Sequence, residues 1–184
     1  MACSEKRALK EGRTIVFADQ SGFYLLPMVV RTYAPVGETP ILHENFTRDH
    51  LSAMSGITLE GKLYMLEQDR SFKAEDVVRF LGHLMHQIPS RLLIIWDGLK
   101  AHRSRLVREH VDSTDGAVAL AFLPPYAPEL NPVEYLWAWL KRHALANFCP
   151  DGLVELAQTA RNKLKSAQRR SSIIVACWKQ AELF

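Results

Sequence analysis

Residues 122–137 read FLPPYAPELNPVEYLW, and this stretch carries the strongest structural signals in the chain. An apolar segment typical of a strand runs into a proline-rich loop, and the loop ends where a helix begins. Asn131 is a favoured helix N-cap and Pro132 a favoured first helical residue, so the pattern predicts a helix that runs to about Phe148. The stiff loop and the helix together fix the direction of one carboxylate, that of Glu134.

Glu134 has two interpretations. It lies three residues after Asn131, so it fits a variant of the capping box, in which the glutamate only satisfies a backbone N–H at the start of the helix. Alternatively, the rigid backbone holds this carboxylate for chemistry. The local pattern is compatible with both, and the rest of the chain must decide between them.

The composition is that of an ordinary soluble globular protein. The chain has 184 residues, enough for one domain with its own core, and 48% of them are hydrophobic. A net charge of +3 allows a nucleic-acid partner without requiring one. The apolar runs are too short to span a membrane, and no signal peptide is recognised. Three distant cysteines without CxxC spacing indicate neither disulfides nor zinc, and they fit a reducing cytoplasm: Cys3, Cys149 and Cys177.

The N-terminal third predicts an antiparallel meander. Thr14–Ala18 is a continuous apolar run, typical of a strand buried on both faces, and it ends at Asp19. Gln20-Ser21-Gly22 is typical of a turn, so Phe23–Val30 is expected to return as the hairpin partner. Two more strands are expected at Leu51–Leu59 and Lys62–Leu66.

The rest of the chain alternates between helices and strands. Two more buried strands are predicted at Leu92–Trp96, which is followed by Asp97, and at Ala117–Leu123. Antiparallel strands followed by β-α-β units predict an α/β fold, one mixed sheet with helices on both faces. Besides the helix after Asn131, helices are predicted from Ser71 to about Ile88, Lys100 to Val111, Leu153 to about Gln168, and Ile173 to Trp178.

Three acids stand at the ends of elements that should converge on one edge of this sheet. Asp19 and Asp97 each follow a buried strand, and the third buried strand leads to Glu134. Each aspartate alone has a simpler explanation, because Asp is common in turns. Together, clustered carboxylates repel one another unless a hard cation neutralises them, and oxygen ligands favour Mg²⁺ or Mn²⁺.

Four segments carry a resemblance to a known family. They read FADQSGF at 17–23, RTYAPVGETP at 31–40, WDGLKAH at 96–102 and LPPYAPELNPVEYLWAWLKR at 123–142. In this order they are similar to the catalytic domain of DDE transposases, in the bacterial insertion-sequence branch of the mariner-type superfamily. The match covers about Arg13 to Phe148. The separation of 37 residues between Asp97 and Glu134 also resembles the family's short second interval.

The resemblance implies an RNase H-like fold with Asp19, Asp97 and Glu134 as a metal-binding catalytic triad. Two Mg²⁺ ions, replaceable by Mn²⁺, are expected to assist in-line displacement at phosphorus. By the same resemblance, water attacks phosphodiester bonds at the transposon ends. The released 3′-hydroxyl then attacks target DNA, expected at TA dinucleotides. A homodimer is expected in the active complex.

The chain departs from the family pattern at three positions. Gln20 stands where many relatives have Glu, Gly98 where Asn often follows the second Asp, and Tyr33 where Trp is frequent. None of these removes an acid of the triad. Gly98, however, lacks a side chain that would orient a substrate or a water molecule.

Five basic side chains near the acids are candidates for contacts with DNA phosphates. They are Lys100, His102, Arg103, Lys141 and Arg142. For the lysines and arginines, solvated helix charges are the alternative explanation. His102 would share a helix face with Leu99 and Leu106, so packing in the core is its alternative.

We divide the chain into a charged lead-in (1–12), a catalytic domain (13–148) and a C-terminal helical extension (149–184) packed on it. The family normally carries helix-turn-helix modules before this domain, so an upstream module or partner is expected to supply them. The function expected in the cytoplasm is DNA cleavage and strand transfer. The alternatives are an inactive fragment that binds DNA or a partner, and a metal-dependent nuclease of the same fold.

Overall fold

The computed structural model describes residues 10–43 and 49–182, so most of the predicted lead-in lies outside the described residues. The strands and helices follow the predicted order, except that no separate strand forms at Phe23–Val30. They are β1 (Thr14–Tyr24), β2 (His50–Thr58), β3 (Leu63–Gln68), α1 (Ala74–Gln87), β4 (Leu92–Trp96), α2 (Arg105–Asp112), β5 (Val118–Phe122), a 3-10 turn (Pro128–Leu130), α3 (Pro132–His143), α4 (Leu153–Gln168) and α5 (Ser171–Gln180).

The five strands form one mixed sheet in the order β3-β2-β1-β4-β5. The strands β1, β2 and β3 pair antiparallel, as a meander does. The strands β1, β4 and β5 pair parallel, with α1 and α2 in the two crossovers. The predicted fold class, a meander followed by β-α-β units, is therefore confirmed.

The predicted hairpin at Gln20-Ser21-Gly22 is wrong. These three residues lie inside β1, where they pair with Met54, Ala53 and Ser52 of β2. Consequently β1 continues to Tyr24, and its antiparallel partner is β2 rather than the segment 23–30. A turn signal is a local preference, and the ladder of backbone hydrogen bonds to β2 outweighs it.

The segment after β1 is anchored far along the chain. Asn147 donates through its side-chain amide to the carbonyl of Val30 (3.0 Å) and accepts from the Val30 N–H (2.9 Å). Its own N–H donates to the carbonyl of Met28 (3.0 Å). Asn147 has a left-handed backbone (φ 54°), so this residue cannot continue a helix. Asn147 therefore rules out the predicted continuation to Phe148, and α3 ends at His143 with Ala144 as its C-cap.

Three other helices differ from prediction at their first residues, and the one expected from Ile173 begins at Ser171. The helix expected from Lys100 begins at Arg105, because Ser104 is the N-cap and its hydroxyl accepts from the Val107 N–H (3.3 Å). The helix expected from Ser71 begins at Ala74. There the carboxylate of Asp76 accepts from the Lys73 N–H (3.0 Å) at the helix start.

Side chains on the two faces of the sheet enter two separate cores. In β1, Ile15 and Phe17 pack on one face with α3, α4 and α5, whereas Val16 and Ala18 pack on the other with α1 and α2. The C-terminal helix α5 closes the first core, where the indole N–H of Trp178 donates to the Thr58 carbonyl (2.8 Å). Helices therefore cover both faces, as the apolar run in β1 predicts. Within the described part of the chain, no helix has the length and apolarity needed to cross a membrane.

Gly56→Ala is expected to lower the free energy of unfolding by about 1–3 kcal/mol, because it overpacks the second core. Gly56 pairs with Ala18, and a Cβ at this position would lie 2.8 Å from Cγ1 of Val16 and 3.4 Å from the Phe80 ring. Urea unfolding measures the loss. The matched control is Gly82→Ala in α1, where a Cβ meets nothing within 4 Å and helix propensity predicts a gain of about 0.5–1 kcal/mol. Equal stability of the two variants would contradict this packing.

Candidate active site

The register of the parallel strands places Asp19 beside Asp97. Phe17 of β1 is paired with Ile95 of β4, and each aspartate follows its paired residue by two positions. Side chains alternate along a strand, so both acids face the side of the sheet that α3 covers. Asp19 is buried within β1, with 5% of its surface exposed, rather than lying in a turn.

Asn131 brings the start of α3 to the same edge. Its side-chain oxygen accepts from the Val133 N–H (3.2 Å), which caps the helix. Its side-chain amide donates to the carbonyl of Ala18 (3.1 Å), the residue before Asp19. One buried amide thus ties the beginning of the helix to the strand that carries the first acid.

The capping-box interpretation of Glu134 is wrong. The backbone N–H of Asn131, which such a glutamate would satisfy, instead donates to the carbonyl of Pro128 (2.9 Å) in the 3-10 turn. The side chain of Glu134 is exposed and lines a cleft. The structure places Glu134 in the cleft that Asp19 and Asp97 also line.

All three acids line one open cleft of about 550 Å³. Its floor is the sheet edge with Asp19 and Asp97, and its wall is the loop 123–128 together with Asn131 and Glu134. The other lining side chains are Leu99, Lys100 and Arg103.

Burial and neighbouring charge raise the pKa of Asp19 to about 8. Desolvation is the main cause, and the negative charges of Glu134 and Asp97 add to it. A hydrogen bond from the indole N–H of Trp137 to Oδ2 (2.9 Å) acts in the opposite direction, because it stabilises the carboxylate. The pKa of Glu134 is also raised, first by desolvation; the charge of Lys141 lowers it and that of Asp97 raises it.

Asp97 is held by a buried histidine. Its Oδ1 lies 2.6 Å from Nδ1 of His102 and accepts from the Leu99 N–H (3.3 Å). His102 stacks on Trp96, with ring centroids 4.2 Å apart, and its Nε2 lies 2.5 Å from the side-chain amide nitrogen of Gln20. Because an amide nitrogen only donates, the imidazole accepts at Nε2 and donates at Nδ1. Gln20 and His102 therefore position Asp97 through a chain of hydrogen bonds.

The sequence contains a recognisable family domain. A family model described as the DDE superfamily endonuclease matches residues 14–152, which is most of the chain. The chain belongs to the DDE endonuclease superfamily. A comparison with curated protein sequences gave no match.

The fold of this DDE protein is that of the RNase H-like catalytic domain of Mos1 mariner transposase. The structure of that catalytic domain superposes with a TM-score of 0.63 at 15% sequence identity, covering 98% of this chain and 86% of the other. The Mos1 strand transfer complex gives 0.67 at 20% identity, covering 98% and 55%. The Mos1 paired-end complex with Mg gives 0.65 at 19% identity, covering 98% and 56%. The chain thus spans little more than half of the longer Mos1 chains.

The three carboxylates of this DDE protein are ligands that suit a hard cation, although they do not lie close enough together to coordinate one as they stand. In the ranges 10–43 and 49–182, no three His, Cys, Asp or Glu side chains lie close enough together to hold a metal ion as they stand. The three acids nevertheless line one cleft, and the charges of Glu134 and Asp97 add to desolvation in raising the pKa of Asp19. Oxygen-only donors that repel one another fit Mg²⁺ or Mn²⁺, which would neutralise them.

The predicted DNA-contacting side chains separate into three groups. Lys100 and Arg103 line the cleft with the acids. Lys141 is near enough to lower the pKa of Glu134, and Arg142 is exposed beyond it on α3. His102 is completely buried, which contradicts the predicted phosphate contact, but it lies next to the site because its Nδ1 is 2.6 Å from Oδ1 of Asp97.

Sequence reasoning missed three supporting residues. Trp137 lies in the core and also binds Asp19 directly. Asn131 was recognised only as a cap, and Gln20 only as a departure from the family pattern. For Gln20, strand alternation offers a signal: β1 sends residue 20 to the face opposite Asp19, where Trp96 and His102 lie.

Proposed function

We propose that this chain is the catalytic domain of a DNA transposase, in the bacterial insertion-sequence branch of the mariner-type superfamily, and that it carries out metal-dependent phosphoryl transfer. The observation that supports this most strongly is the shared cleft of Asp19, Asp97 and Glu134 at the carboxyl edge of the parallel strands. The solved Mos1 complexes with transposon ends and with strand-transfer DNA agree with this assignment in fold.

The three carboxylates would hold two Mg²⁺ ions, or Mn²⁺ in their place, which supply the charge clamp for in-line displacement at phosphorus. The residues of the chain prepare this cleft. Trp137 orients Asp19, His102 orients Asp97, and Asn131 fixes the helix that carries Glu134.

Two displacements complete the proposed reaction. In the first, water attacks a phosphodiester at a transposon end, and the broken P–O bond leaves a free 3′-hydroxyl. In the second, that hydroxyl attacks a phosphodiester of target DNA, proposed at a TA dinucleotide. A new P–O bond then joins the transposon strand to the target, and the P–O bond of the target breaks and leaves a free hydroxyl on the target strand.

DNA would be held mainly through its phosphates. Lys100 and Arg103 at the cleft, with Lys141 and Arg142 on α3, are the proposed phosphate contacts. We further propose that a helix-turn-helix module or partner reads the transposon ends and that the active complex is a homodimer. The thiols of Cys149 and Cys177 are free, which fits the cytoplasm as the proposed location.

An inactive DNA-binding fragment is the second candidate, and one observation favours it. Among the described residues the three acids do not form a finished metal site. A third candidate, a nuclease of the same fold, would cut DNA without joining it.

A strand-transfer assay tests the proposal. The chain, alone and fused to any helix-turn-helix module encoded upstream of it, is incubated with Mn²⁺, target DNA and a duplex carrying any inverted repeats found beside its reading frame. Joined products at TA sites are the expected result. Cut but unjoined DNA would identify a nuclease, and bound but intact DNA would identify an inactive fragment.

A further inference from the structure

The guanidinium of Arg103 packs against Gly98 and the ring of Phe122, close to Asp97, and we call this contact position the seat. If Gly98 carried a Cβ, that atom would lie 2.6 Å from Nη2 and 2.9 Å from Cζ of Arg103. Real Cβ atoms do not approach other groups so closely, so a side chain at position 98 would push aside the guanidinium, which is the far end of a flexible side chain. On another side, Cζ of Arg103 lies 4.6 Å from the centroid of the Phe122 ring, at the end of β5.

The backbone does not explain this glycine. Gly98 is not among the four glycines with a left-handed backbone, so alanine could adopt its conformation. What a side chain at position 98 would disturb is the guanidinium of Arg103.

The seated guanidinium is available to a ligand. Arg103 makes no hydrogen bond or ion pair with any side chain in the part of the chain that the structure describes, although it shares a cleft with three acids. Its N–H donors form a planar fork, which matches the oxygens of a phosphate. The cation–π contact with Phe122 restricts the guanidinium of Arg103, so this side chain loses less entropy when it binds, whereas the neighbouring Lys100 has no comparable ring contact in that part.

We propose that Arg103, seated on Gly98 and Phe122, positions a backbone phosphate of the DNA strand that enters the acidic cleft. This inference rests on the proposed function, in which Arg103 already contacts a phosphate, and it adds that Gly98 and Phe122 fix the place of that contact and so the register of the strand. Gly98 and Arg103 then act as one unit: any side chain at 98 displaces the guanidinium and removes the phosphate contact.

A double-mutant cycle tests this coupling. The variants are Gly98→Ala, Arg103→Ala and both together, measured by binding to a 30-base-pair duplex without metal and by Mn²⁺-dependent cleavage. Each single variant is expected to weaken duplex binding about tenfold and to raise KM more than it lowers kcat. The double variant is expected to bind DNA no more weakly than Arg103→Ala does. Loss of one phosphate contact should also reduce the slope of log K against log salt by about 1.

Control variants distinguish loss of the Arg103 contact from the loss of any positive charge and from the addition of any methyl group. Arg105→Ala removes a neighbouring arginine that is paired with Glu109, and Gly82→Ala adds a methyl group to an open helix position; both should leave binding unchanged. Arg103→Lys keeps the charge without the planar fork, so it should keep the salt slope and restore affinity only in part. If Gly98→Ala fails to fold, the comparison of Arg103→Ala with Arg103→Lys still decides.

The outcomes distinguish this inference from the proposed function. Additive effects of Gly98→Ala and Arg103→Ala, or an Arg103→Ala variant with unchanged affinity and salt slope, would overturn the seat even if the wild-type chain cleaves DNA. Coupled loss of binding in a chain that does not cleave would support the seat and count against the proposed reaction. A wild-type chain that binds no duplex would overturn both.

Discussion

Glu134→Gln is expected to lower metal-dependent DNA cleavage about a thousandfold or more, which corresponds to at least about 4 kcal/mol of transition-state stabilisation. The substitution keeps the size of the side chain and removes one of the three negative charges in the cleft. Glu134 is exposed and makes no hydrogen bond through its side chain in the described part of the chain, so the fold should be unaffected. Single-turnover cleavage with Mn²⁺ measures the loss.

The matched control is Glu129→Gln, which removes an exposed carboxylate from the 3-10 turn of the same loop. It should cleave DNA as the wild type does. A metal titration gives a second readout, because Mg²⁺ should raise the melting temperature of the wild type and of Glu129→Gln more than that of Glu134→Gln. Equal cleavage rates in the two variants would show that Glu134 is not part of the catalytic site.

Asp19→Asn is expected to stabilise the protein at alkaline pH in the presence of EDTA. The pKa of Asp19 is about 8 in the folded chain against 3.8 for an unperturbed group. The folded state therefore binds this proton more tightly than the unfolded state, and the stability of the wild type falls as the pH rises from about 4 to about 8. Asparagine cannot ionise, and its oxygen can still accept from Trp137.

The difference should be a few kcal/mol at pH 8.5 and close to zero near pH 4, with an upper limit of about 6 kcal/mol from the shift itself. Urea unfolding of both proteins across this range measures it. Mg²⁺ in place of EDTA should remove most of the wild-type loss, because the cation favours the ionised carboxylate. Parallel stability curves for wild type and variant would show that Asp19 does not titrate in this way.

Local patterns predicted the elements that carry the acids. The cap at Asn131 and the proline after it placed the start of α3 correctly, because capping depends on a few neighbouring residues. The apolar runs before Asp19 and Asp97 predicted parallel strands, and the two acids do lie side by side at the same edge. That edge follows from the rule that β-α-β units bring carboxyl ends together.

Contacts between distant residues were not predictable in the same way. The turn expected at Gln20-Ser21-Gly22 is extended backbone because β2, some thirty residues later, pairs with it. Trp137 binds Asp19 across 118 positions, and Gln20 meets His102 across 82. No spacing in the sequence marks such pairs, because they arise only when the sheet and the helices have packed.

The sequence by itself determined the order of the elements, the edge at which the acids gather and the helix that carries Glu134, since each depends on local preference and strand direction. The tertiary structure alone decided how each acid is held. It buried Asp19 against Trp137, placed His102 beneath Asp97, and seated the guanidinium of Arg103 on Gly98. Burial, desolvation and close approach are properties of the packed chain, because they depend on which surfaces meet after folding.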